Sequence, residues 1–187
     1  MRRVSREGSK CVLEFRTPTA TPNAIRRALM SDVETYAPSE IVVHANTSSQ
    51  TDEFIAHRIG LIPFAHTGEA LSALSLNVTG RTASSADFAG DCFRAPHVTP
   101  IVRLIENQTL HVDVRFAKGT AATHAKHAHV GPVSYQKRGE QTTVSFETLA
   151  ENCPLGYTLS ALESLLRRID DSIFAVETQY DAGRKIS

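Results

Sequence analysis

The chain has 187 residues, with 20 basic and 20 acidic side chains, 41% hydrophobic residues and no Trp, the size of one compact domain or two small ones. No apolar run approaches the roughly 18 residues of a membrane span, and no apolar stretch follows the charged start Met1-Arg2-Arg3, so neither a membrane anchor nor a secretory leader is expected. Cys11, Cys92 and Cys153 are odd in number and far apart, which argues against a disulfide framework and a cysteine-rich zinc site; an intracellular protein is expected, and the N-x-S/T triplets at Asn46, Asn77 and Asn107 read as coincidence.

The neutral total hides an uneven distribution. Residues 1–31 hold seven Arg/Lys against Glu7 and Glu14, whereas 32–106 hold nine acids against four Arg. In chain order, Cys11, Leu13 and Phe15 alternate with polar neighbours and predict a strand. Thr21 and Pro22 fit the start of a helix whose apolar face is Ile25, Ala28 and Leu29. Pro38 is expected to close that unit, before a short strand at Ile41-Val42-Val43 and a polar turn at Asn46-Thr47-Ser48-Ser49. A helix over 52–62 places Phe54, Ile55, Ile59 and Ile62 on one arc. Arg58 projects into that arc and needs an acid, a carbonyl or stem packing as partner.

Leu74, Leu76 and Val78 alternate as a strand, and the Gly/Ser/Ala-rich run from Gly80 to Gly90 reads as a connector. Segments 101–104 and 110–116 flank Glu-Asn-Gln-Thr and predict a hairpin. The following loop is basic, since 114–139 contain Arg115, Lys118, Lys126, Lys137 and Arg138 without an acid. Strands at 133–135 and 142–146 precede a long helix from about Pro154. There Leu155, Leu159, Leu162, Leu166, Ile169, Ile173 and Val176 are spaced 4, 3, 4, 3, 4, 3, a heptad seam of roughly 33 Å. Such a seam serves either the helix's own sheet or a partner helix.

The run Asn23-Ala24-Ile25-Arg26-Arg27-Ala28-Leu29-Met30-Ser31, then Asn46-Thr47-Ser48 and Asp52-Glu53-Phe54-Ile55-Ala56-His57-Arg58-Ile59-Gly60-Leu61-Ile62-Pro63, resembles the alpha-type assembly subunits of multisubunit RNA polymerases: bacterial alpha, its archaeal counterpart and the eukaryotic third-largest subunit. Phe116-Ala117-Lys118-Gly119-Thr120, His124-Ala125-Lys126 and Pro132-Val133-Ser134-Tyr135 are similar to a loop of the archaeal and eukaryotic branch. The resemblance implies an α+β fold: a discontinuous dimerisation subdomain of one sheet and two helices, residues 1–39 and 133–187, and an inserted, mostly β subdomain, residues 40–132. It implies a non-catalytic subunit that pairs with a smaller alpha-like subunit and recruits the second-largest catalytic subunit. Small zinc-binding polymerase subunits are further implied partners. Contact with DNA would come only through the complex, with no membrane, in nucleus or cytoplasm or, for a viral polymerase, in the virion.

By the same resemblance, Arg26, Arg27, Asp52, Glu53, His57, Arg58, Lys118, His124 and Lys126 face the large subunit. Ile25, Leu29, Leu155, Leu159, Leu162, Leu166, Ile169, Ile173 and Val176 face the partner helices. No catalytic residue, metal or cofactor is expected, since no carboxylate cluster suits Mg²⁺. The sequence departs from the family in lacking the cysteine-rich module of many relatives. It also carries Ala45 where an acid is usual and Ala121-Ala122 in the loop, and no bacterial-type C-terminal domain is expected.

Two other classes compete. His124, His127 and His129, spaced H-x₂-H-x-H, could make the basic loop 114–139 a free-standing nucleic-acid- or metal-binding module. His57 with Glu53 could belong to a small enzyme, although no nucleophile motif or phosphate-cradling Gly loop accompanies them, and a solvated pair is the plainer reading.

Overall fold

The computed structural model describes residues 3–16, 21–67, 73–149 and 154–184. In chain order the elements are β1 (Arg3–Glu7), β2 (Lys10–Arg16), α1 (Thr21–Ser31), β3 (Glu34–Asn46), α2 (Asp52–Gly60), β4 (Ala65–His66), β5 (Leu74–Thr79), β6 (Thr82–Ser84), β7 (Phe93–Arg94), β8 (Pro100–Arg103), β9 (Thr109–Thr120), β10 (Ser134–Arg138), β11 (Gln141–Glu147) and α3 (Pro154–Arg184). The fold is α+β, and every strand pairing is antiparallel among the described residues. The chain divides into two compact units, one of Met1–Val33, Pro132–Glu147 and Cys153–Ser187, the other of Glu34–Gly131 and Thr148–Asn152.

The first unit is a four-stranded sheet, β1-β2-β11-β10, with α1 and α3. Alternation in β2 sends Cys11 and Leu13 inward, where they sit opposite Phe146 and Val144 of β11; all four are buried. Gly139, at φ 60°, makes the β10–β11 turn in a conformation that glycine adopts at little cost. On α1, Pro22, Ile25, Ala28 and Leu29 are buried, one stripe at helical spacing. At the C-terminal end of α1, Asp32 receives Arg168 Nη1 of α3 at 2.8 Å.

The second unit is built on a sheet ordered β3-β9-β5, with small sheets β4-β7 and β6-β8 and the helix α2. Its core joins Ile55 and Ile59 of α2, Leu74, Leu76 and Val78 of β5, and Leu110, Val112 and Val114 of β9. Phe116 stacks on Phe93 at 3.7 Å between ring centroids and meets Phe64 edge-on at 5.1 Å. Thr51 caps α2 by accepting from the Phe54 amide at 3.4 Å. Asp52 and Glu53 lie in its first turn and His57 and Arg58 in its last, the charge order the helix dipole favours.

Three expectations change. Pro38 does not end an element: β3 runs through it, which is tolerated because β3 is an edge strand with a register shift between Pro38 and Glu40. The stretch expected as a connector forms β6 and a 3-10 turn at Ser85–Asp87. The 101–104 and 110–116 segments are no hairpin. Strand β8 pairs with β6, and β9 is central in another sheet because β3 and β5 take both its edges. Among the described residues, no helix is long and apolar enough to cross a membrane.

Candidate protein-interaction surfaces

The heptad seam of α3 lies outside the core of its unit. Leu159 is 51% exposed, Leu162 36%, Leu166 60%, Ile169 55% and Ile173 51%. The helix instead buries Tyr157, Thr158 and Ala161, with Ser164 and Leu165 half-buried beside them. That second stripe docks the first three turns of α3, and every described side chain from Leu166 to Ala175 is exposed. The side chains of Leu155 and Val176 lie outside the described ones. A run of Leu and Ile at coiled-coil spacing, facing water, is a surface suited to a partner helix.

Helix α1 contributes differently. Ile25 and Leu29 are 4% and 1% exposed, so they pack inside their own unit rather than on its surface. Arg26 is tied to its own helix, with Nε and Nη2 donating to Asn23 Oδ1 at 3.2 and 3.1 Å and Nη1 reaching Met30 Sδ at 3.3 Å. The Arg27 side chain is exposed and makes no hydrogen bond or ion pair with a described residue. Adjacent positions on a helix are about 100° apart, which is why the two arginines have separate fates.

In the other unit, α2 presents Asp52, Glu53, His57 and Arg58 to solvent. Asp52 Oδ1 accepts from Asn46 Nδ2 at 2.7 Å, and Asn46 also donates to the Gln50 carbonyl at 2.9 Å, fixing the turn into the helix. Arg58 Nη2 donates to the Pro100 carbonyl at 2.7 Å, with its guanidinium carbon 5.8 Å from the Phe54 ring centroid. A carbonyl is therefore the partner this arginine required. Glu53 and His57 are both exposed.

Lys118, His124 and Lys126 sit near the opposite end of β3. Lys126 Nζ donates to the Pro38 carbonyl at 2.8 Å, and Lys118 Nζ lies 5.3 Å from the Tyr36 ring centroid. Pro38 and Asn46 are eight residues apart on one strand, about 26 Å at 3.3 Å per residue, so these cations and those of α2 form two patches. The three histidines of the loop do not converge. His124 is exposed and its Nδ1 accepts from the Lys126 amide at 3.1 Å, His127 is buried against Thr35, and His129 is 2% exposed with both ring nitrogens unpartnered. Burial lowers the pKa of His127 and pushes that of His129 down to about 4, so both are neutral near pH 7. A metal site built on this tract is not supported.

Among the described residues, the group of potential metal-binding side chains whose ligand atoms do gather is His44, His111 and Asp113, on the outer face of the β3-β9-β5 sheet. Sequence reading did not single them out. The one available signal was the His111/Asp113 alternation; His44 joins them through strand pairing.

No protein-family model matches the chain. It is 29% identical over 157 residues to DNA-directed RNA polymerase subunit Rpo3 of Methanocaldococcus jannaschii, covering 80% of this chain and 81% of that protein. It is 32% identical over 143 residues to the Rpo3 of Pyrobaculum aerophilum, covering 63% and 54%. Subunit 3 of the DNA-directed RNA polymerases II, IV and V of Arabidopsis thaliana is 36% identical over 100 residues, with 53% of this chain and 30% of the plant protein covered. The chain thus spans most of the first relative, about half of the second and less than a third of the plant protein.

Proposed function

We propose that the chain, similar to subunit 3 of archaeal and plant DNA-directed RNA polymerases, is an alpha-type assembly subunit that pairs with a smaller alpha-like subunit through α3 and recruits the second-largest catalytic subunit. The observation that carries the pairing is the exposed stripe Leu159, Leu162, Leu166, Ile169 and Ile173. Covering the part of these side chains that faces water would be favourable by about 25 cal/mol per Å² of apolar surface, a gain that a partner helix can supply. The unit of β1, β2, β10, β11, α1 and α3 is the proposed dimerisation subdomain, and the unit carrying α2 the inserted one.

For the large subunit, Arg27 is the first contact proposed, since its guanidinium is committed to nothing within the described chain. Exposed Glu53, His57 and Arg58 on α2, and Lys118 and His124 at the other end of β3, offer two further patches of suitable charge. Small zinc-binding polymerase subunits are proposed as additional neighbours. DNA is met only through the assembled enzyme, wherever that polymerase acts: nucleus or cytoplasm inside the cell or, for a viral enzyme, also the virion.

Affinity purification of the tagged chain from its source cells, with mass spectrometry of what accompanies it, tests this reading. The expected result is co-recovery of two large polymerase subunits and a small alpha-like one. Recovery of the chain alone, as a folded monomer, would exclude it.

A further inference from the structure

His44, His111 and Asp113 bring their ligating atoms within 4.8 Å of one another, in an arrangement set by backbone register. On β9, Leu110, Val112 and Val114 point into the core, which turns the intervening His111 and Asp113 to the outer face. On β3, Val43 pairs with Val112 and Ala45 with His111, so His44 is the extra residue of a bulge. A bulge re-aims one side chain, and here His44 Nε2 comes to 2.8 Å from Asp113 Oδ2. The His44 and His111 rings lie 4.6 Å apart between centroids, tilted by 36°. From β5, Ser75 sits opposite Asp113. Arg115, next along the same face, is engaged by Glu40 at 3.1 Å and does not compete for Asp113.

An ion pair between His44 and Asp113 would need only one imidazole. The second imidazole adds a third donor atom, gathered with the other two within 4.8 Å, which an ion pair does not use and a cation would. Two imidazoles and a carboxylate suit a borderline divalent ion. Hard cations prefer an all-oxygen shell, and soft ones require thiolates, which are missing from this cluster. Ligands of a tetrahedral zinc ion stand about 3.3 Å apart, and the His44 and Asp113 side chains, each 42% exposed, have room to close onto an ion.

We propose that His44, His111 and Asp113 form a three-ligand site for a Zn²⁺-class divalent cation, its remaining coordination positions open to water or to a side chain from another chain. This departs from the metal-free reading of the sequence and does not depend on the polymerase assignment.

Titration of the full chain with Zn²⁺ by calorimetry, and with Co²⁺ followed by visible absorption, both at about pH 7.5, tests the site. One equivalent of Zn²⁺ is expected. The substitutions His44→Ala, His111→Ala and Asp113→Asn should each weaken affinity by about 100-fold or more, since even outer partners of a ligand are worth about 10–100-fold. The thermal midpoint should rise with Zn²⁺ in the wild type and not in the triple variant, whose own midpoint shows that it folds. Wild-type binding no tighter than that of the triple variant would overturn the proposal, as would binding that the triple variant keeps and His124→Ala removes.

Discussion

Thr35 and His127 hold each other by two hydrogen bonds: Thr35 Oγ1 donates to the His127 carbonyl at 2.8 Å, and His127 Nδ1 donates to the Thr35 carbonyl at 3.0 Å. This pair clamps the 3-10 turn Ala125–His127 onto the start of β3. Gly119 of β9 is the register partner of Thr35, and the imidazole lies over it, so that a Cβ there would stand 2.5 Å from Nε2. The glycine is required for this approach. Gly119→Ala is expected to push the buried ring off Thr35 and to cost about 1–3 kcal/mol, as overpacking generally does, read as a lower midpoint in urea unfolding. An unchanged midpoint would show that the ring yields freely.

His129 should make this chain acid-sensitive. Burial, reinforced by the neighbouring His127, holds its pKa at about 4 against the usual 6.5. The unfolded chain therefore binds the proton more readily, and stability falls as pH drops from about 6.5 to about 4, by about 3 kcal/mol over the window. His127, lowered mainly by burial, acts in the same direction. His129→Leu removes two orphaned nitrogens and should flatten this limb of a stability-versus-pH curve measured by denaturant unfolding. An equally steep acid limb in His129→Leu would assign the sensitivity to other groups.

The two stripes of α3 should separate by mutation. Leu166→Asp changes an exposed side chain, so the isolated chain is expected to keep its fold while losing the small alpha-like partner in co-expression and size-exclusion chromatography. Glu163→Lys, also exposed, should leave pairing intact. Ala161→Asp, at a fully buried position, should destabilise the chain itself. A stable heterodimer containing Leu166→Asp would remove the stripe as the interface.

Arg27→Ala should leave folding and small-partner pairing unchanged while weakening recruitment of the second-largest subunit by about 2–5 kcal/mol, the usual loss for a buried interfacial charge. Arg26→Ala, whose guanidinium is already held by Asn23 and Met30, should do less. Pull-down of the large subunit by both variants decides between them; equal recovery would refute the special place of Arg27.

Residues that owe their surroundings to local periodicity were readable from the chain alone. Cys11 and Leu13, Ile25 and Leu29, Ile55 and Ile59, and Leu110, Val112 and Val114 all face the core, because a period of 2 or 3.6 carries its own inside and outside. That Arg58 would need a partner was equally readable, since a long cation beside an apolar arc has few ways to be satisfied; that the partner is the Pro100 carbonyl rather than an acid or stem packing was decided by the tertiary structure. Choices between distant partners were not readable. The Ile101–Leu104 segment has the pattern of a hairpin arm, yet β8 joins β6, because β9 fills both its edges with strands from far along the chain. The α3 seam has the pattern of a core face, yet Tyr157, Thr158 and Ala161 dock the helix and leave the leucines outside. His44 meets His111 and Asp113 through one extra residue in an edge strand. In each case the deciding quantity is which strand edge or helix face gets covered first by something remote, and hydrophobic periodicity, being local, holds no record of it.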